Sequence, residues 1–237
     1  MSDNEDLKNF SIELTTEYLE KYPDNASRYC KKEIDQIKNI ENAFNKKIAP
    51  NTPTTKPDEL VSEILEFLFE YKIEDRKQIQ NQYSNQKQVE MMVGELLERY
   101  IAKEGINFGW AFTAECIKAV DFIKKDGDDW IKLQIKASDN TENSSAKLVR
   151  DKTPIKHWFR RFSSPKKKIP KLKKNGELSK KGLTPEEYKK CLESKDYSAF
   201  TQPDYNWNNF PDEDLIKVLS EDGFRNFISE HIELIKN

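Results

Sequence analysis

Between Trp130 and Lys136 the chain alternates strictly: Ile131, Leu133 and Ile135 are separated by Lys132, Gln134 and Lys136. A period of two predicts a strand with one buried face. Upstream, Ile117, Ala119, Val120, Phe122 and Ile123 form a second extended run, and the stretch 124–129 between them contains Asp126-Gly127, a hairpin signal. If Ile123 pairs with Trp130, Asp121 faces Lys132 and Ala119 faces Gln134. Asp121, Gln134 and Lys136 then project from one face, and Val120, Phe122, Ile131 and Leu133 from the other. A one-residue slip would reverse the assignment.

Elsewhere the apolar spacing is helical. Leu7–Tyr22, Ala26–Phe44 and Pro57–Tyr71 each carry it, with the proline-rich stretch 50–57 as the candidate boundary. In 88–101 the stripe is Val89, Met92, Val93, Leu96, Leu97, Tyr100 and Ile101. Thr153-Pro154 reads as a helix start, which predicts a basic, aromatic helix through Trp158, Phe159, Arg160 and Arg161. Thr184-Pro185-Glu186-Glu187 is a capping-type start, and 215–235 closes the chain as a helical region. Tyr205, Trp207 and Phe210 are expected to pack on the core. These elements divide the chain into a helical N-terminal region (1–85), a core with the hairpin (86–165), and a basic arm with a C-terminal helical region (166–237).

Charge changes the picture. The formal net charge of -2 argues against a nucleic-acid partner, but its distribution does not. Residues 147–181 hold 14 basic and two acidic groups, a local balance of +12 in an otherwise acidic chain. That is the footprint of a phosphate-binding patch. The run 165–181 reads as an arm that tracks a DNA backbone. Three scattered cysteines, Cys30, Cys116 and Cys191, make no metal spacing and suit a reducing cytoplasm. The acidic, polar start is unlike a secretory signal, and no 18-residue apolar run is present.

The hairpin face carries chemistry. The Asp121 carboxylate suits a hard cation such as Mg2+, which takes oxygen ligands and keeps several waters. The Gln134 amide oxygen and the Ile135 backbone carbonyl are further candidate ligands. Lys136 is placed to orient or deprotonate the attacking water, or to stabilise a pentavalent phosphate. The polar run that follows, with Ser138, Asn140, Asn143 and Ser144, can bond base edges and phosphates. Lys147, Arg150, Arg160 and Arg161 add cationic contacts.

Asp121 and Gln134-Ile135-Lys136 resemble the PD-(D/E)XK nuclease superfamily, with Val120 in place of the proline and Gln134 in place of the second acidic residue. The block from Lys136 to Arg160 resembles the SinI-type family of type II restriction endonucleases. The resemblance implies an α/β (α+β) fold: a restriction-endonuclease-like core with a central mixed β-sheet flanked by helices, plus helical additions at both ends. It implies Mg2+, double-stranded DNA cut at a short, palindromic sequence, a homodimer, and a cognate DNA methyltransferase. It also implies a glutamate from the helix before the hairpin. Gly94-Glu95 fits best, with Glu98 and Glu90 as alternatives. Two other functions stay open: a structure-specific repair or junction nuclease, and a non-catalytic nucleic-acid-binding protein in which Asp121 and Lys136 form a surface ion pair.

Overall fold

The computed structural model describes residues 2–45, 72–139, 154–163, 184–194 and 205–236, together with single positions between 60 and 68 and Glu177. Helices α1 (Ser2–Lys21) and α2 (Glu33–Asn45) precede α3 (Arg76–Gly105). Strands β1 (Trp110–Phe112), β2 (Phe122–Asp126), β3 (Asp129–Ser138) and β4 (Ile155–Arg161) follow, and α4 (Pro185–Ser194) and α5 (Glu221–Lys236) complete the fold. The strands form one sheet in the order β1-β2-β3-β4. The first two pairings are antiparallel and β3–β4 is parallel. The result is a mixed sheet flanked by helices, as expected.

The hairpin forms with a different register. Phe122 pairs with Leu133 and Asp126 with Asp129, two residues on from the expected alignment. The strands close on a tight two-residue turn, Gly127-Asp128, with Gly127 at φ 61. A type II′ turn requires glycine at that first central position. The ladder begins at Phe122, and Asp121 lies on the bend before it, its N–H directed at the carbonyl of Leu133, the partner of Phe122 (2.9 Å), so strand parity does not set the face of Asp121.

The run 117–120 is not a strand. Ile117 makes one bridge to Ala26, and Ala119 is left-handed at φ 59. The pairing partner of β2 on that side is instead β1. Ala26–Lys32 likewise leaves the helical pattern, because the Ser27 N–H donates to the Cys116 carbonyl (2.8 Å) and the Asn25 carbonyl accepts from Lys118 (3.0 Å).

The segment after Pro154 is a strand, not the expected helix. Ile155, His157, Phe159 and Arg161 alternate with Lys156, Trp158 and Arg160, and Trp158 is 1% exposed. A period of two is therefore also present there, and tertiary pairing with β3 selects it. The 16 residues between Ser138 and Ile155 give the length that a parallel crossover needs. Asn206 covers the outer edge of β4: its N–H donates to the Arg160 carbonyl (2.7 Å) and its Nδ2 to the Phe159 carbonyl (3.0 Å).

The core lies on both faces of the sheet. On one, Tyr18 of α1 meets Trp130 edge-on at 5.4 Å. On the other, Trp158 packs against Trp207 and Phe210, and Trp207 continues to Tyr100 of α3 and Phe224 of α5. Trp207 and Phe210 thus pack on the core, as expected. Helix α3 crosses residues 85 and 86 without a break and is buried only from Leu96 onward. Among the described residues no helix is long and apolar enough to cross a membrane.

Candidate active site

At the start of β2 the chain leaves its regular ladder. The Asp121 N–H donates to the Leu133 carbonyl (2.9 Å), and the Ile135 N–H donates to Asp121 Oδ2 (2.7 Å). A carboxylate oxygen thus stands where a backbone carbonyl would continue the sheet. Because N–H and C=O of one residue point to the same edge of a strand, the Ile135 carbonyl also faces the side on which Asp121 lies.

The loop 113–121 delivers Asp121. The Thr113 N–H donates to the Asp121 carbonyl (3.0 Å), Thr113 Oγ1 donates to the Val120 carbonyl (2.6 Å), and Asn39 of α2 holds the Ala114 carbonyl. Ala114, Glu115 and Ala119 are left-handed at φ 47, 62 and 59. Such conformations cost of order 1–2 kcal/mol each for residues with a Cβ. The loop keeps them through its bonds to α2 and to the α1–α2 connection.

Electrostatics bring five side chains together. Burial pushes the Glu98 carboxyl well above the usual range, and the charges of Asp121, Glu115 and Glu95 push it further while Lys136 opposes them. Burial also raises Asp121 to about 6, with Glu115 adding to the rise and the Ile135 N–H and Lys136 resisting it. Two half-buried carboxyls that raise each other's proton affinity, with one ammonium opposing them, form a site short of positive charge. Glu95, Glu98 and Glu115 also line a cavity of about 260 Å3 between α2, α3 and the loop, with Asn39, Asn42 and Arg99.

The residues expected from sequence fall into three groups. Gln134 and Lys136 share one face of β3, with Gln134 buried at 5% exposure and Lys136 half-buried, and Asp121 reaches the strand between them through the Ile135 N–H (2.7 Å). Among the helix glutamates, Glu98 feels the charge of Asp121. Glu95 lies in the adjoining cavity, and Glu90 pairs with Lys87 (2.8 Å) at the surface. Ser138 ends β3, 3% exposed, with Oγ donating to Asp139 Oδ1 at 3.4 Å. Arg161 is half-buried at the end of β4, on the same face as Lys136.

Arg160 departs from its expected role at DNA. Its Nη1 donates to both carboxylate oxygens of Glu221 (2.7 and 2.8 Å), and the guanidinium sits over the Tyr205 and Phe224 rings, binding α5 to the sheet. Asn140, Asn143, Ser144, Lys147 and Arg150 lie outside the described residues, as does the arm 165–181 apart from Glu177. Sequence reasoning missed Glu115. It belongs to no periodic stretch, and only the left-handed turn carries it to the site.

A mixed sheet flanked by helices, with Gln134 and Lys136 on one face of β3, Asp121 bonded to the Ile135 N–H between them and helix glutamates alongside, is consistent with a restriction-endonuclease-like core. Residues 3–194 match the family described as SinI restriction endonuclease, and the chain belongs to that family of site-specific deoxyribonucleases. The type II restriction enzyme SinI of Salmonella infantis is 33% identical over 238 residues, covering 95% of this chain and 87% of its own. The type II restriction enzyme Eco47I of Escherichia coli is 35% identical over 186 residues, covering 77% of this chain and 65% of its own.

Proposed function

We propose that the Asp121 cluster hydrolyses phosphodiester bonds of double-stranded DNA, with Mg2+, at a short palindromic sequence, in the manner of the PD-(D/E)XK nucleases. The observation that carries this reading is the Asp121 carboxylate held at the edge of β3 by the Ile135 N–H (2.7 Å), with the charges of Glu98 and Lys136 acting on the same site.

The donor set suits magnesium in a specific way. Among the described residues no three His, Cys, Asp or Glu side chains stand close enough to cage a metal. Magnesium does not need a cage, because it is bound through one or two carboxylates and keeps several waters. Asp121 would hold it, with the Gln134 amide oxygen and the Ile135 carbonyl beside it. Glu98 would act through water, since the cavity of about 260 Å3 has room for several molecules. When bound, the ion supplies Lewis acidity toward the phosphate and a bound water of lowered pKa.

The chain supplies the rest. Lys136 directs a positive charge at the phosphate oxygens or the attacking water, and its position on a central strand keeps that charge in place. The Ile135 N–H holds the Asp121 carboxylate by one oxygen and leaves the other available. Ser138, Arg161 and the crossover with Asn140, Asn143, Ser144, Lys147 and Arg150 would contact the duplex, because the crossover leaves directly from the end of the catalytic strand. A homodimer would offer one such site to each strand, and symmetry would make the target palindromic. A DNA methyltransferase that protects the same sequence would complete the system.

Plasmid digestion by the purified protein tests the reading. Discrete fragments in Mg2+ and none in EDTA are expected, with all ends mapping to one short symmetric sequence. Asp121→Ala and Lys136→Ala should abolish cleavage while retaining salt-sensitive DNA binding. Cleavage that survives both substitutions would refute the assignment, and a metal-dependent smear would point to a nuclease without a fixed sequence.

A further inference from the structure

Two sulfur atoms from distant parts of the chain meet beside the loop that delivers Asp121. Cys30 lies in the connection between α1 and α2, Cys116 lies in the loop 113–121, and 86 positions separate them. Both are 0% exposed, and their Sγ atoms stand 2.6 Å apart as free thiols. The backbones on either side are already joined. The Ser27 N–H donates to the Cys116 carbonyl (2.8 Å), the Lys118 N–H donates to the Asn25 carbonyl (3.0 Å), and Ala26 bridges Ile117.

A buried cysteine ordinarily acts as a small, inert hydrophobe, and Cys191, 1% exposed, fits that description. Distance sets Cys30 and Cys116 apart. Two thiolates that share a tetrahedral zinc ion, each about 2.3 Å from it, stand roughly 3.8 Å from one another. The sulfurs here are closer than that. Their polar neighbours include the Gln36 carbonyl (3.8 Å), the Asp35 carbonyl (4.0 Å) and the Asn39 amide nitrogen (3.7 Å), and none of these is a carboxylate or an imidazole. A disulfide has its sulfurs about 2.05 Å apart, which asks for a further approach of only about 0.6 Å.

We propose that Cys30 and Cys116 are an oxidation-dependent disulfide site, which staples the Asp121 loop to the α1–α2 connection when a small peroxide oxidises it. The Cys30 thiolate attacks one oxygen of hydrogen peroxide, the O–O bond breaks, and hydroxide leaves a sulfenic acid behind. That hydroxide takes up the proton Cys30 gave away. The Cys116 sulfur then attacks the Cys30 sulfur, the S–O bond breaks, and the second hydroxide leaves as water with the Cys116 proton. Two thiols and one peroxide thus give one disulfide and two waters, and two electrons pass from sulfur to oxygen. Burial holds both thiols above their usual range, Cys116 further than Cys30, and the bond between them favours the Cys30 thiolate. Cys30 is therefore the attacking sulfur and Cys116 the resolving one. Because thiolate is scarce, the reaction is slow and answers sustained oxidation. The bond closes a long stretch of chain, so it removes much of the freedom of the unfolded state. Neither the geometry nor the chemistry rests on the nuclease reading.

Peptide mapping of the full native chain, after hours in dilute hydrogen peroxide, tests the proposal. Alkylation after acid unfolding should find one free thiol, that of Cys191, in place of three. A peptide linking Cys30 to Cys116 should appear, and dithiothreitol should separate it. The oxidised protein should melt about 5–15 °C higher than the same sample after dithiothreitol. Hydrogen exchange at the Ser27 and Lys118 amides should slow in the oxidised form. Cys30→Ser should lose the melting shift and Cys191→Ser should keep it; the mapping uses the native chain and stands even where a variant fails to fold. Three free thiols after treatment would overturn the proposal. So would sulfinic acid at Cys30 or Cys116 in place of the link, a disulfide that includes Cys191, or a linked protein that melts no higher than its reduced form.

Discussion

Replacing Asp121 with asparagine should stabilise the metal-free protein at neutral pH while removing its cleavage. The Asp121 carboxyl is raised from 3.8 to about 6 by burial and by Glu115. At 1.36 kcal/mol per unit, holding it ionised in the folded state costs about 3 kcal/mol. An asparagine at the same position carries no charge, and its Oδ1 can still accept the Ile135 N–H. Because the amide keeps part of the desolvation cost, the net gain should be about 1–2 kcal/mol. The sign follows from proton uptake. Between about pH 4 and pH 6 the folded state holds the Asp121 proton and the unfolded state releases it, so native stability falls as pH rises through this window. Below about pH 4 both states are protonated and the contribution of ionisation is absent. Urea unfolding in EDTA, followed by far-ultraviolet circular dichroism at about pH 4 and pH 8, measures the effect. The variant should gain stability at the higher pH and little at the lower. Mg2+ should then stabilise the native protein by mass action and leave Asp121→Asn unchanged. A variant no more stable than the native chain at the higher pH, or a gain equal at both pH values, would refute this account of the site.

Two further predictions concern how the fold is held. Glu221→Gln leaves the Arg160 guanidinium, 11% exposed, without a countercharge and weakens the bond from Trp207 Nε1 (3.1 Å). It should cost about 3 kcal/mol, read as a drop of about 6–12 °C in melting temperature; a loss below about 1 kcal/mol would show that the pair is marginal. Asp212 ties β1 and β2 to the C-terminal region. Burial alone would raise its carboxyl, but Lys124 Nζ (2.6 Å), the Leu215 N–H (3.0 Å) and Trp110 Nε1 (2.9 Å) outweigh burial and hold it at about 2. Its contribution is full above about pH 4 and is lost as pH falls toward about 2. Asp212→Asn should therefore destabilise by about 2 kcal/mol at neutral pH and progressively less in acid. Tryptophan fluorescence during acid titration checks this, and a difference that persists at the acid end would contradict it.

The strand β3 is legible in the sequence because a half-buried strand must alternate, whereas the expected run 117–123 shares only Phe122 and Ile123 with β2. Gln134 and Lys136 share a face because they stand two apart on one strand, whereas Asp121 lies on the bend before β2 and joins them through its bond from the Ile135 N–H. The capping sequence at Thr184 and the apolar stripe through Tyr100 are equally readable, since caps and stripes are local. The segment 155–161 reads as a helix because Thr153-Pro154 is a helix signal and Trp158-Phe159-Arg160-Arg161 satisfies two periods at once. Only the neighbouring strand β3 separates them. Arg160 misleads for a related reason: a cation in a basic stretch looks like a DNA contact until Glu221, 61 residues away, is seen to hold it.

The chemistry of the site is therefore written in the chain, while its assembly is not. Sequence alone supplied an aspartate, an amide and a lysine at strand spacing, a stripe that made the preceding helix, and a basic block in an acidic protein. These depend on periodicity and composition, which need no knowledge of the fold. Tertiary structure decided that the charges of Glu98 and Glu115 act on Asp121, and that a carboxylate replaces a carbonyl in the ladder. Each of these depends on contacts between residues far apart in sequence, held by a left-handed loop that has no periodic signature. The charge on a buried carboxyl is likewise a property of its surroundings, so the candidate site exists as a site only once the chain has folded around it.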